Sequence, residues 1–183
     1  MAVSWTCPEC GLVYDAISPQ DVVQTLRSFP RRYREVIGPF LDDDEVLRRR
    51  PNPSTWSALE YTAHVADILE AMTPQLVEVV QKDDPHVTDP ISPDERAAER
   101  RYNDMEPQDV LDWLERSSTT AADTAAGFSS DDWSRTAQYP YGERELIDIA
   151  RNMVHEGAHH LRDVERVLRS VIGKPLPSDD EDD

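Results

Sequence analysis

The sequence predicts an all-α protein built as a bundle of four long helices. Apolar residues recur at three- and four-residue spacing over four long segments, and N-cap signals precede two of these segments. We recognise no β-hairpin outside a short N-terminal cysteine motif. The predicted organisation is a cysteine knuckle over residues 1–17, the bundle over 18–173 and a disordered acidic tail over 174–183.

The first long helix is predicted over about residues 19–40. Ser18 is a good N-cap, and Pro19 occupies the first helical position, where its missing N–H has no intrahelical partner to lose. Apolar side chains then follow at helical spacing from Val22 onward. Because Pro30 lies inside this segment, we expect a kink or a break there.

The second long helix is predicted over about residues 57–82. Ser57 and Glu60 have the spacing of a capping box, which marks the start of a helix. Pro74 predicts a bend or an interruption further along. Residues 42–55, which combine an acidic run, three arginines and two prolines, are predicted to form a loop before this helix.

Two further long helices complete the predicted bundle, over about residues 106–128 and 143–172. A proline-rich crossover loop at 83–93 and a short arginine-rich helix at 93–101 precede the first of them. The last helix is predicted to stop at Gly173, since glycine favours the left-handed conformation that commonly ends a helix.

The composition excludes several classes of function. The chain has 37 acidic and 19 basic residues, and its formal net charge of −18 repels nucleic-acid phosphates and anionic membrane surfaces. No run of about 18 apolar residues is present, and the N-terminus lacks the basic and apolar regions of a signal peptide. We therefore expect a cytoplasmic protein that binds neither nucleic acid nor membrane.

Two histidines at helical spacing are the first candidates for a functional site. His155 and His159 are four residues apart in the last helix, so their imidazoles project from one face on consecutive turns. This is the spacing by which a helix offers two ligands to one cation. A helical wheel places both residues, and His64 of the second helix, away from the core-facing stripes. Solvated histidines and metal ligands in a groove between helices are both consistent with this pattern.

The segment from His155 to His159 also matches H-E-x-x-H, the pattern of zinc proteases. In that interpretation Glu156 is the general base and a third ligand lies downstream. Glu165 and the acidic tail are the candidates for this ligand, and neither lies in a recognisable context. A protease is therefore the weakest of the functional alternatives.

With these three histidines in view, the chain resembles the DinB/YfiT-like superfamily of metalloenzymes. The resemblance is carried by residues 56–67, WSALEYTAHVAD, and by residues 152–160, NMVHEGAHH. These segments are similar to the first histidine motif of the superfamily and to the H-x3-H motif of its last helix. The resemblance extends over roughly residues 18–172, nearly the whole predicted bundle.

The resemblance implies a four-helix bundle with up-down-down-up topology and frequent homodimers. It also implies a divalent metal, zinc or nickel, held by His64, His155 and His159. Relatives include transferases and isomerases that use low-molecular-weight thiols such as mycothiol or bacillithiol, and no DNA-polymerase activity is implied. Three imidazoles leave an open position at which a metal lowers the pKa of water or of a thiol. We therefore expect hydrolysis or thiol transfer on a small-molecule substrate.

Carboxylates near the histidine motifs are candidates to support the ligands. Asp67, Glu156 and Asp163 are close to these motifs in sequence, and a carboxylate that binds the second ring nitrogen fixes the orientation of a ligating imidazole. Tyr61 and His160 are further candidates to line the cleft. For each carboxylate, the alternative is an ordinary exposed side chain.

The N-terminal motif around Cys7 and Cys10, C-P-E-C-G, looks like half of a zinc ribbon. A closed structural zinc site needs four ligands, and these are the only cysteines in the chain. His86, His160 or a carboxylate can complete the site, as can the cysteines of a second subunit. Alternatively, two helical histidines complete a Cys2His2 site, which makes the protein a non-enzymatic, zinc-stabilised bundle. The pair can also remain without metal, whereas a thioredoxin-like role is disfavoured because no βαβ unit surrounds it.

Overall fold

The computed structural model describes residues 5–87 and 92–173. The acidic tail, predicted to be disordered over 174–183, lies outside the described residues. Within them the chain forms six α-helices and one two-stranded sheet. The elements are α1 (Pro19–Ile37), α2 (Asp44–Arg48), α3 (Ala58–Gln81), α4 (Pro93–Arg100), α5 (Pro107–Ala126), β1 (Thr136–Tyr139), β2 (Gly142–Glu145) and α6 (Leu146–Ile172).

The four long helices, α1, α3, α5 and α6, form the predicted four-helix bundle. Helix α3 packs against α5 and α6, and α1 packs against the same two helices, so α1 and α3 lie across the bundle from each other. The core between them is formed by side chains with essentially no solvent exposure, including Leu26, Phe29, Leu69, Leu114 and Met153. In the part of the chain that the structure describes, no helix combines the length and the apolar character needed to cross a membrane.

The predicted capping signals start α1 and α3 where expected. The Ser18 hydroxyl accepts a hydrogen bond from the backbone N–H of Asp21, and Ser57 and Glu60 cap α3 reciprocally. Both helices continue past the prolines inside them, at Pro30 and Pro74, so neither proline breaks its helix. Tertiary packing along the length of a helix outweighs the loss of one backbone hydrogen bond.

The connection between α5 and α6 differs from the prediction. Residues 136–145 form an antiparallel hairpin, with Thr136 opposite Glu145 and Tyr139 opposite Gly142, although no hairpin was expected there. All four residues of β2 are exposed, so the strand lacks the alternation of apolar and polar residues that would predict it. Helix α6 consequently begins at Leu146 rather than near residue 143.

The loop predicted over residues 42–55 also contains a short helix, α2. Its Leu47 is fully buried, and the side chains of Arg48 and Asp44 pair across one turn at 2.8 Å. The Arg48 guanidinium also donates to the backbone carbonyl oxygens of Asn103 and Met105, at 2.6 and 2.8 Å. One buried leucine and a single turn are too little periodicity to predict a helix from the sequence.

The contact between α1 and α6 requires a glycine at position 157. A Cβ atom there would overlap the Phe29 ring, and the Tyr33 hydroxyl donates to the Gly157 carbonyl oxygen at 2.9 Å. We expect Gly157→Ala to lower the free energy of unfolding by about 1–3 kcal/mol through overpacking, despite the better helix propensity of alanine. Urea denaturation measures this change.

The control for this substitution is Gly127→Ala, where a new Cβ atom meets only ordinary van der Waals contacts. We expect that control to change the free energy of unfolding by less than about 1 kcal/mol. A Gly157→Ala protein as stable as the unchanged chain would contradict the close approach of α1 and α6.

Candidate metal centre

Helix α6 presents two interleaved pairs of candidate ligands. His155 and His159 form one pair four residues apart, and Glu156 and His160 form the other. Successive residues of an α-helix are rotated by about 100°, so the two pairs project from adjacent faces of α6. The first pair meets the N-terminal knuckle, and the second meets His64 on α3.

The interhelix triad consists of His64, Glu156 and His160. One candidate ligand atom from each residue lies within 4.8 Å of the other two. The Nε2 atoms of His64 and His160 are 3.4 and 3.3 Å from the same oxygen of Glu156, Oε2. His64 is only 6% exposed, and its ring packs against the rings of Trp56 and His160. Three donor atoms therefore converge between two helices, in a largely buried position.

Aromatic rings cover the triad from the side of α3. The indole ring of Trp56 packs edge-on against His64, with ring centroids 5.2 Å apart. The ring of Tyr61 stacks on His160 at 5.3 Å, with an angle of 27° between the ring planes. These contacts restrict the orientation of both imidazoles and limit the access of water to them.

Asp163 orients the imidazole of His160. Its carboxylate Oδ2 accepts a hydrogen bond from His160 Nδ1 at 2.9 Å, which leaves Nε2 directed toward Glu156. A carboxylate on the far nitrogen of a ligating histidine fixes the tautomer and the angle of the ring. Arg166 in turn donates to the other oxygen of Asp163, at 3.1 Å.

The two carboxylates also set the charge of the triad in the metal-free chain. Burial alone lowers the pKa of His160, but its hydrogen bonds to Asp163 and Glu156 raise that pKa to about 9. Burial favours the neutral form of Glu156, yet hydrogen bonds with His160 and His64 hold its pKa well below the usual value. A bound cation replaces the imidazole proton, since histidine ligates metals in its neutral form.

The knuckle cluster consists of Cys7, Cys10, His155 and His159. One ligand atom from each of these residues lies within 4.8 Å of the other three. Both cysteines are buried free thiols, and Cys7 Sγ lies 3.5 Å from His159 Nδ1. Burial raises the pKa of Cys7, but hydrogen bonds from the backbone of Cys10 and Glu9 and from the two histidines lower it to about 6.

The structure divides the predicted ligands differently from the expected set of three histidines. His64 lies with Glu156 and His160, whereas His155 and His159 lie with the cysteines. The reason is helical geometry, because neighbouring positions on α6 face different partners.

Of the other residues predicted to support or complete a metal site, some lie at the triad and some lie elsewhere. Tyr61 lines the triad, and His86 pairs through its backbone with Gln138, outside both clusters. Asp67 orients no imidazole in the structure. Its carboxylate accepts hydrogen bonds from the Arg96 guanidinium and the Tyr102 hydroxyl instead.

The donor chemistry of the triad fits a divalent metal ion. Two imidazoles and one glutamate are a ligand set of catalytic zinc sites, in which water or substrate occupies the fourth position. Two histidines and a carboxylate also bind non-haem iron(II). A cavity of about 420 Å³ is lined by Trp56, whose ring contacts His64, but by none of the three triad residues. The cavity is lined by Arg50, Pro53, Ser54, Trp56, Glu60, Asp94, Ala97 and Ala98.

Comparisons with known proteins agree with this architecture. A family model described as the DinB superfamily matches residues 25–164, a range that contains the whole triad but not Cys7 or Cys10. The structure also resembles YfiT from Bacillus subtilis, described as a probable metal-dependent hydrolase with an unusual four-helix bundle topology. The TM-score is 0.76 at 14% identity, over 94% of this chain and 95% of that chain. No curated protein matches the sequence. Because the family model matches most of the length of this chain, the chain belongs to the DinB superfamily.

Proposed function

We propose that this protein is a metal-dependent enzyme, most simply a hydrolase, that acts on a small molecule at the interhelix triad. The observation that carries the proposal is the convergence of His64, Glu156 and His160 from two helices, with Asp163 behind one of the imidazoles. Membership of the DinB superfamily and the description of YfiT as a probable metal-dependent hydrolase support the same class of function.

Each residue of the triad has a definite role in this proposal. His64 and His160 provide neutral nitrogen ligands, and Glu156 provides the negative charge that partly balances a divalent cation. Asp163 holds the ring of His160 in the ligating orientation. Three protein ligands leave at least one position open, where a bound divalent ion polarises a carbonyl group and lowers the pKa of water.

Transfer of a low-molecular-weight thiol is the second candidate function. An open position on a metal also binds a thiol and stabilises its thiolate form. The cavity beside Trp56 favours a polar small molecule, because Arg50, Glu60 and Asp94 are among the residues that line it. For either function we expect the bound ion to be zinc or nickel. We also propose that the protein is cytoplasmic.

The zinc-protease interpretation of H-E-x-x-H receives no support from the geometry. In such a site His155 and His159 share one metal, with Glu156 acting as the base beside it. Here both histidines face two thiols, while Glu156 faces His64 and His160 on the neighbouring side of α6. The two thiols occupy the position that water and substrate need in a protease.

The experiment that tests the proposed function compares two histidine variants. Metal-free protein is reloaded with Zn²⁺, Ni²⁺ or Fe²⁺ and assayed against small esters and amides, and against electrophiles with an added thiol. We expect turnover that depends on the metal and falls at least about 100-fold in His64→Ala, because a metal ligand is lost. His86→Ala removes a histidine outside both clusters and is expected to keep full activity.

The products of this assay distinguish the two candidate functions. Hydrolysis products without a thiol adduct support a hydrolase, and a thiol adduct supports a transferase. Unchanged turnover in a folded His64→Ala protein, or no metal-dependent turnover with any ion, would contradict the assignment of the triad as an active site.

A further inference from the structure

We propose that Cys7, Cys10, His155 and His159 form a second metal site, a closed Cys2His2 zinc site that fastens the N-terminal knuckle to α6. This site is separate from the triad and shares no ligand with it. It also lies partly outside the range matched by the superfamily, since both cysteines precede residue 25.

The first observation is a buried imidazole nitrogen without a partner. His155 Nε2 is inaccessible to solvent and makes no hydrogen bond with any of the described residues. A buried polar atom without a partner costs about 1–3 kcal/mol, so native structures rarely leave one unpaired without a reason. Here the same imidazole belongs to a cluster with two buried thiols and a second imidazole. A zinc ion bound by all four residues, with His155 ligating through Nε2, would supply the missing partner.

The backbone of the knuckle is shaped to direct both thiols to the same side. The N–H of Gly11 donates to the Cys7 carbonyl oxygen at 2.8 Å, and the N–H of Cys7 donates to the Leu12 carbonyl oxygen at 2.9 Å. Gly11 has a φ of +73°, a conformation that other residues rarely adopt. The resulting tight turn places both sulfur atoms against the histidines of α6.

The knuckle has almost no apolar core of its own. Within residues 5–17, Cys7 and Cys10 are the only buried side chains, and Trp5 is half exposed. A segment of this size buries too little surface to hold one conformation without a crosslink or a metal. Two hydrogen bonds help to hold the knuckle against α6. The Tyr14 hydroxyl donates to Asn152 Oδ1, and Arg151 Nε donates to the Ile17 carbonyl oxygen, both at 3.0 Å.

The donor set indicates a structural site rather than a catalytic one. Two thiolates and two imidazoles complete the tetrahedral shell of zinc, and the two negative charges neutralise the ion. No position remains for water or substrate, in contrast to the triad. Trp5 and Tyr14 pack against the His155 ring, with ring centroids 5.5 and 5.4 Å away, and shield it from solvent.

Two carboxylates lie near the ring nitrogen of His159 that points away from the cysteines. Its Nδ1 atom faces Cys7, while its Nε2 atom lies 3.5 Å from Asp163 and 3.7 Å from Glu9. Asp163 also binds His160 of the triad. One buried carboxylate therefore lies behind an imidazole of each cluster, as expected for a group that orients ligands.

The test uses the full-length protein and measures its metal content and its cobalt spectrum. Reduced protein saturated with Zn²⁺ and then desalted is expected to retain one zinc ion that Cys7→Ser/Cys10→Ser protein does not retain. Replacement by Co²⁺ is expected to give the absorption of a tetrahedral thiolate complex, with a sulfur-to-cobalt charge-transfer band. His160→Ala should keep this band, as should Asp15→Asn, the matched control, which changes a knuckle carboxylate outside both clusters.

The outcomes separate this inference from the proposed function. A cobalt spectrum without a thiolate band in the unchanged protein would overturn the second site, as would thiols that react freely in the presence of saturating Zn²⁺. The spectrum of the unchanged protein decides the question even if the double variant fails to fold. If His64→Ala protein loses the metal ion of the triad but keeps the ion with the thiolate band, only the ligand assignment of the triad is affected. The second site at the cysteines is then still supported.

Discussion

Replacing Glu156 with glutamine should weaken metal binding at the triad by more than about 100-fold, because it removes the only charged ligand. Substitutions behind the ligands of a metal cost about 10–100-fold, so loss of a ligand charge should cost more. Glutamine preserves the size of the side chain, and α6 remains packed against α3. Competition with a chromophoric chelator measures the affinity, and turnover is expected to fall in parallel.

The control for this substitution is Glu165→Gln on the same helix. Glu165 lies outside both clusters, and its nearest oxygen is 4.0 Å from the Arg169 guanidinium. We expect this variant to bind metal and to turn over substrate like the unchanged protein. If Glu156→Gln behaved in the same way as this control, Glu156 would not be a ligand.

Replacing Asp67 with asparagine should lower the free energy of unfolding by about 1–3 kcal/mol, because it removes the buried charge to which two partly exposed guanidinium groups and a buried hydroxyl bind. Asp67 is only 1% exposed, and its carboxylate accepts from Arg96 Nη2 at 2.7 Å and lies 3.1 Å from Arg100 Nη1. The hydroxyl of Tyr102, also fully buried, donates to it as well. These contacts hold α4 and the turn after it against α3.

The dependence of this effect on pH follows from the pKa of Asp67. Burial raises this pKa, but the hydrogen bonds from Arg96 and Tyr102 and the charge of Arg100 lower it below its usual value. Its contribution to stability is therefore complete above the unfolded pKa of about 4 and is lost as the pH falls toward the folded value. The difference between the unchanged protein and Asp67→Asn should narrow below about pH 4.

Urea denaturation at neutral and acidic pH measures both predictions for Asp67. Asp123→Asn removes a carboxylate that forms an exposed ion pair with Arg27, at 3.0 Å. We expect this control to change the free energy of unfolding by less than about 1 kcal/mol at either pH. A similarly small change in Asp67→Asn would show that the buried network contributes little.

The bundle is predictable from the sequence because its signals are local and repeated. The capping pair of Ser57 and Glu60 fixes the start of α3, and helical apolar spacing continues for many turns in each long helix. The hairpin at residues 136–145 has no such signal. The four residues of β2 are all exposed, and their pairing with β1 depends on the backbone and not on an apolar face.

A Cys2His2 grouping was among the alternatives predicted from the sequence, but the separation of Glu156 and His160 into a second cluster with His64 was not. The sequence shows His155, Glu156, His159 and His160 within six residues, and the resemblance drew attention to the H-x3-H pair alone. The second pair, Glu156 and His160, has the same four-residue spacing, and this spacing in the sequence could have indicated a second pair of ligands. Which pair faces α3 depends on the rotation of α6 in the bundle, which the position of Gly157 against Phe29 helps to set.

Anomalous diffraction at the absorption edge of the bound metal tests the central claim most directly. Crystals of the full-length protein, grown with the ion that supports turnover, are expected to show anomalous density between His64, Glu156 and His160, with no fourth protein ligand. Density confined to the cysteines and their two histidines, with none at the triad, would contradict the account of this protein as a metal-dependent enzyme.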